Sequence, residues 1–377
     1  MGLKRALGIF RRIVLWGGGV LLIGVVVFGS IAWFRSTNAC DKPPAGPPRD
    51  PMNAITYCDY GTSEVLRLEP VEKPVAADDQ VLVRVRAASV NPLDWHYMRG
   101  TPYFMRLDAG LRKPAVTRLG VDFAGTVEAV GRSVTTLKPG DEVFGTRNGA
   151  FAEYVAVRAE RVATKPAAMT FEQAASIPVA AVTALQAVRD KGHLQSGEKL
   201  LINGASGGVG TFMVQIAKTL GAQVTGVCST RNLEMVRSLG ADHVIDYTQE
   251  DFSKRDERYD LIVDNVGNRS LSDFRRVLAP KGRYVLVGGG GPNDGRVIGP
   301  LGKVLYALVL SWFVPQQMGM MLADTNKEDL GILAGLIESG KVTPVIDRRY
   351  PLSEVPEAIT YLETGRARGK VIITIDE

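Results

Sequence analysis

Cysteine and histidine are scarce in this 377-residue chain, with three of each. Cys40, Cys58 and Cys228 lie far apart and are odd in number, so they supply neither a disulfide framework nor a CxxC zinc pattern. His96, His193 and His243 are too few for a histidine-rich metal site. No run of five or more basic residues occurs and the net charge is only +5, which leaves nucleic acid without an electrostatic footprint. What remains is a globular balance, 45% hydrophobic and 23% charged, long enough for two domains.

Charge is absent from residues 13–34. A helix needs about 20 apolar residues to cross a bilayer. With Trp16 and Trp33 near its ends, the run predicts one transmembrane helix behind a basic tail, residues 1–12. Ser30-Ile31-Ala32 resembles a small-x-small cleavage site, which keeps a cleaved signal peptide as the competing reading. Lys4, Arg5, Arg11 and Arg12 precede the run, and Arg35, Lys42 and Arg49 follow it. That bias of one charge would hold the N-terminus inside and send the rest across. Residues 35–51 hold five prolines and read as an extended linker.

From residue 52 the texture becomes that of strands. Val81, Val83, Val85 and Ala87 alternate with Leu82, Arg84, Arg86 and Ala88, a period of two. Further short strands fit 126–130, 142–144 and 152–157, separated by turns such as Lys138-Pro139-Gly140-Asp141. This predicts a small, largely antiparallel β domain. After about residue 177, strands at 199–202, 223–228, 243–246, 261–264 and 283–287 alternate with helices. That order predicts an α/β, doubly wound parallel sheet.

The stretch "LLINGASGGVG" joins a strand to a helix inside a βαβ unit. Gly204, Ser206, Gly207, Gly208, Val209 and Gly210 form a GxxGxxG variant of the dinucleotide loop. The helix N-terminus behind it offers free N–H groups and partial positive charge to a pyrophosphate. NAD-binding chains place an acid at the end of the second strand. Here that strand runs into Ser229, Thr230 and Arg231, with no acid. A guanidinium matches a phosphate, so the expected cofactor is NADP(H).

The segments "AITYCDYGTSEVLRLEPVEKP", "VRVRAASVNPLDWHYMRG", "LGVDFAGTVEAVG", "LKPGDEVFG" and "INGASGGVGTFMVQIAKTLGA" resemble the medium-chain dehydrogenase/reductases. The branch they resemble most is the zinc-independent, zeta-crystallin-like quinone oxidoreductases. The resemblance runs from residue 52 to 377. It implies a GroES-like catalytic domain, 52–177 and 341–377, around a Rossmann domain, 178–340, with "ARGKVIITI" as the return strand. Zinc-dependent members carry Cys where Asn91 stands and His-Glu where Val121-Asp122 stand, so the resemblance implies a metal-free enzyme. It also places Ser229, Arg231 and Tyr247 at a 2′-phosphate and Asn265 at the nicotinamide ribose. Asn91, Asp94 and Thr183 are implied to line the cleft, with His96 where some members have tyrosine and Tyr97 and Tyr103 beside it.

Without zinc, alcohol oxidation lacks the ion that acidifies the hydroxyl. Reduction of a quinone or an enone needs only hydrogen bonds to the conjugated oxygen and a proton. The expected activity is therefore NADPH-dependent reduction of quinones or α,β-unsaturated carbonyls, small and lipophilic. A zinc-independent alcohol dehydrogenase and a membrane scaffold that binds NADPH without turnover are the alternatives. Plainer roles exist for single residues: Asn91-Pro92 as a turn, His96 as a satisfied histidine, Thr183 as a helix residue, and Arg366, Arg368 and Lys370 as a solvated loop. The uncharged residues 304–323 read as a Rossmann helix and an edge strand that pairs in a homodimer. A single-pass protein with its catalytic part on the cytoplasmic side is expected, because NADPH is a cytosolic cofactor.

Overall fold

The computed structural model describes residues 40, 46–288, 291, 302 and 314–375. The expected basic tail, the apolar run 13–34 and most of the linker lie outside the described residues. Among the described residues, no helix is long and apolar enough to cross a membrane.

Two sheets organise the chain. The antiparallel ribbon β1 (Pro51–Thr56) and β2 (Arg67–Glu72) precedes them. Five of the seven strands of the first sheet are β3 (Gln80–Val90), β4 (Asp122–Val130), β5 (Glu142–Thr146), β6 (Tyr154–Arg158) and β7 (Val162–Thr164). On β3, Val81, Val83 and Val85 are buried while Arg84 and Arg86 reach toward solvent, the alternation expected of a half-covered sheet.

The six-stranded sheet follows. Its strands are β8 (Lys199–Asn203), β9 (Gln223–Cys228), β10 (His243–Asp246), β11 (Tyr259–Asp264), β12 (Leu278–Leu286) and β13 (Gln317–Met320), ordered β10-β9-β8-β11-β12-β13. All its pairs are parallel. Leu200-Leu201-Ile202 and Leu261-Ile262-Val263 are buried without alternation, as strands covered on both faces require. β13 is the edge strand beside β12; the helix expected before it lies outside the described residues.

The chain then returns to the first sheet. β14 (Ile346–Pro351) pairs in parallel with β15 (Lys370–Thr374), and β15 lies antiparallel against β3 with Val371 opposite Val90. Helix Pro178–Gln186 joins the two halves. Ala180 through Leu185 on it are all buried, in one core that holds Ala87, Ala124 and Phe144 of the first sheet with Ile202, Phe212 and Val263 of the second. A helix apolar all round belongs in such an interior.

One expectation is corrected. Cys40 and Cys58 are bonded to each other, across 18 residues, while Cys228 is free and buried. Cysteine count and spacing give no pairing because the bond is a tertiary contact, between Cys40 in the proline-rich segment and Cys58 just after β1. Alkylation of the unreduced, denatured protein should therefore label Cys228 alone, and peptide mapping should recover a Cys40–Cys58 linked pair. Three alkylated cysteines would contradict this.

Candidate active site

β8 ends at Asn203 and the backbone turns at Gly204, whose φ of +84° few L side chains adopt. The chain then enters helix Gly208–Thr219 at its cap residue Gly207. A Cβ on Gly210 would stand 2.2 Å from the Gly204 carbonyl oxygen, so only glycine lets the helix start this close to the loop. Ser206 Oγ accepts from Asn232 Nδ2 at 3.0 Å, and the same amide reaches Ser229 Oγ at 3.2 Å. Val209 packs on the core below. The unpaired N–H groups of this helix terminus face the loop and favour an anion there.

Ser229 and Arg231 follow β9, and Tyr247 follows its neighbour β10, with the Tyr247 N–H donating to the Cys228 carbonyl at 3.1 Å. Tyr247 is exposed. Arg231 donates to the Arg366 carbonyl, which brings the C-terminal turn to this edge. The one carboxylate at the end of these strands, Asp246, is engaged: it accepts from Thr230 Oγ1 at 2.6 Å and Thr248 Oγ1 at 2.7 Å. The edge thus offers cationic and hydroxyl groups and no idle acid.

Asn265 follows β11, its N–H bonded to the Asn203 carbonyl at 3.1 Å. Both polar atoms of its side chain are buried without a partner. An unsatisfied buried amide costs roughly 1–3 kcal/mol. It lies beside Gly204, where a glycine Cβ would stand 3.5 Å from the Asn265 Cβ. The loop and this amide fit a dinucleotide.

Asn91, Asp94 and Asp122 lie together, all almost fully buried. Asn91 Nδ2 donates to Asp122 Oδ2 at 3.0 Å and to the Ser89 carbonyl at 3.3 Å. Asp94 accepts the Asn91 N–H at 2.7 Å and the Gly120 N–H at 3.0 Å, at the start of helix Pro92–Arg99. Burial pushes Asp94 up to about 7 against the pull of those two bonds. Asp122 also accepts from Ser89 Oγ and from the Val179 N–H, each at 3.0 Å, so it caps helix Pro178–Gln186. Lys370 is corrected from solvated loop to core: it is 3% exposed, and its Nζ donates to Asn91 Oδ1 at 2.6 Å.

Thr183 is buried on helix Pro178–Gln186. His96 stacks on Trp95, and its Nδ1 meets the Thr101 carbonyl at 2.6 Å, so the proton sits on Nδ1. Burial lowers its pKa against that bond and holds the ring neutral. Tyr97 is half-buried, and burial with the nearby Asp108 keeps its phenol protonated. Tyr57 lies in the first segment that carries the resemblance but has no expected role; its hydroxyl is buried and unpartnered. Arg368, expected in a solvated loop, likewise has a buried, unpartnered Nε.

Residues 77–167 match the family described as "Alcohol dehydrogenase GroES-like domain", and residues 239–373 match "Zinc-binding dehydrogenase". A 2-methylene-furan-3-one reductase of Solanum lycopersicum is 37% identical, covering 85% of this chain and 79% of its own length. The chain belongs to the medium-chain dehydrogenase/reductases. Among other members of the superfamily, an NADPH-dependent alkenal/one oxidoreductase of Arabidopsis thaliana is 35% identical over 85% of this chain and 79% of its own. The Escherichia coli quinone oxidoreductase complexed with NADPH superposes with a TM-score of 0.74 at 26% identity, covering 85% of this chain and 99% of the other.

The residues of this medium-chain dehydrogenase/reductase do not fit the zinc that one family description names. Among the described residues, no group of three or more His, Cys, Asp or Glu could hold a metal ion. Asp122 already has donors on both oxygens, and an ammonium stands 3.6 Å away. Zinc takes three or four N, S or O ligands.

Asn265 yields a prediction. Asn265→Ala removes a buried amide that nothing pairs, so the free protein should melt no lower than wild type. Affinity for NADPH should fall about 10-fold, the worth of one hydrogen bond. Titration of NADPH fluorescence alongside a thermal melt checks both; a lower melting temperature with unchanged affinity would make Asn265 structural.

Proposed function

We propose that this chain is a zinc-independent, NADPH-dependent reductase of quinones or α,β-unsaturated carbonyls. One observation carries the reading. The buried, unpaired Asn265 amide beside the glycine loop calls for a polar ligand, whereas the zinc position is filled by Asn91 and Asp122 saturated with bonds of their own. The tomato, Arabidopsis and Escherichia coli relatives named above, an enone-type reductase, an alkenal/one oxidoreductase and a quinone oxidoreductase with NADPH, support the same class.

Gly204 to Gly210 with the N-terminus of helix Gly208–Thr219 would hold the pyrophosphate. Ser229, Arg231 and Tyr247 would hold the 2′-phosphate, and Asn265 the nicotinamide side. Bound NADPH supplies the hydride. The chain's own task is to receive charge on the substrate oxygen. Both Asn91 amide hydrogens are spent on Asp122 and Ser89, so Asn91 holds the cleft's frame rather than the oxygen. Thr183 is the hydroxyl left to donate. His96 presents a neutral ring with Nδ1–H committed, leaving Nε2 an acceptor. Tyr97 keeps its O–H and is the better proton source.

Residues 13–34 support a membrane anchor, read from sequence alone. NADPH argues for a compartment that supplies it, while the Cys40–Cys58 bond argues for one in which disulfides persist. A Cys40–Cys58 bond recovered from intact cells alkylated before lysis would set the folded part away from a reducing cytosol. Association into a homodimer remains part of the proposal, through the edge strand β13.

The test is steady-state oxidation of NADPH and NADH by the purified protein with 2-alkenals, quinones and, in reverse, alcohols. Turnover of enones or quinones with NADPH preferred is expected. Arg231→Ala should cut kcat/KM for NADPH by about 10- to 100-fold, the loss of a charged hydrogen bond, and leave NADH nearly unaffected. NADH preference, or alcohol oxidation alone, would overturn the reading.

A further inference from the structure

Lys370 has no role in the reading above, yet it is the most enclosed cation among the described residues. Its ammonium has three donors. Asn91 Oδ1 takes one at 2.6 Å, the Val90 carbonyl lies at 3.2 Å, and Asp122 Oδ2 stands at 3.6 Å. Burial lowers its pKa, and Asp122 and Asp94 raise it again. A lysine buried at 3% exposure persists only where acceptors compensate it.

The residue before it meets the glycine loop, while the Lys370 N–H itself donates to the Val345 carbonyl at 2.8 Å. Gly369 donates its N–H to the Ser206 carbonyl at 3.0 Å, and Gly369 bridges Gly207 in parallel. The Lys370 stem runs under the helix that leaves the loop: a Cβ on Gly208 would lie 3.0 Å from Lys370 Cδ. Two consecutive residues therefore touch the glycine loop on one side and Asn91 on the other. Asn91 stands at the start of helix Pro92–Arg99, which carries Asp94, His96 and Tyr97.

We propose that Lys370 is a positioning residue that couples the glycine loop to the catalytic helix, fixing the Asn91 carboxamide and hence the helix start relative to the bound nucleotide. The inference rests on the proposed reductase function for its turnover readout but not for its binding readout. A cation is out of place beside two helix N-termini, Pro92–Arg99 and Gly208–Thr219, on dipole grounds alone. Asp122 and Asp94 hold it there, and the arrangement makes the loop and the helix start share one rigid contact.

A double variant and Lys370→Arg test this, with Lys370→Met as the control for folding. Lys370→Met strands the Asp122 carboxylate and is expected to lower the melting temperature, so it cannot separate folding from positioning. Lys370→Met with Asp122→Asn removes both charges and should regain melting temperature. It should still bind NADPH about 10-fold more weakly and turn over enone about 10-fold more slowly, with KM for the enone within about twofold of wild type, a coupling loss of ordinary size. Lys370→Arg keeps the charge but not the point geometry and should lower kcat in the same way. Wild-type NADPH affinity and kcat in the double variant would show that Lys370 only balances Asp122, and would overturn the proposal. Should wild type turn over no enone or quinone, the functional reading falls, while NADPH titration of the variants still decides the role of Lys370.

Discussion

The structure depends on the place where the last strand is spliced between the two sheets. Gly369, the residue before β15, lies on the glycine loop, and β15 then runs in the first sheet beside β3. At that junction Lys370, Asp122 and Asn91 bury two opposite charges and a carboxamide in mutual contact. A buried ion pair adds little net stability over well-packed apolar residues, but losing one member is costly. Its value here is geometric, because three segments distant in sequence cannot shift independently. Helix Pro178–Gln186 joins the same knot through the Val179 N–H on Asp122.

In that knot the Asn91 amide, the Ser89 hydroxyl and the Val179 N–H already occupy the oxygens of Asp122, with the Lys370 ammonium 3.6 Å away. The neighbouring Asp94 carboxyl accepts the Asn91 and Gly120 N–H groups. A group left unpartnered is of another kind, the Asn265 amide beside the loop. On the proposed reading it would meet the nucleotide, as Thr183 would meet the substrate oxygen.

Much of the fold was legible in the sequence because its signals are local. Gly204 to Gly210 could be read as a strand-to-helix turn, since left-handed φ and close approach are properties of those residues themselves. β10 was read at its observed bounds, whereas β12 begins five residues before the expected 283, in a stretch containing Pro280 and Gly282 that reads as a turn. Lys370 was misread for a physical reason. Its partner Asn91 is 279 residues away, and a lysine between Gly369 and Val371 looks like a surface charge until β15 is laid on β3. The Cys40–Cys58 bond was hidden in the same way, behind a linker whose path sequence does not reveal. For Asn91 the residue was legible and its bonding was not: only the structure shows both amide hydrogens already committed.

On the proposed reading the protein reduces conjugated carbonyls with NADPH and needs no metal. The most direct measurement is NADPH oxidation with an enone or quinone before and after exhaustive dialysis against a strong zinc chelator, with metal content determined on the same samples. Turnover unchanged in metal-free protein is the predicted result. Activity that disappears with the metal and returns on adding zinc would contradict the account.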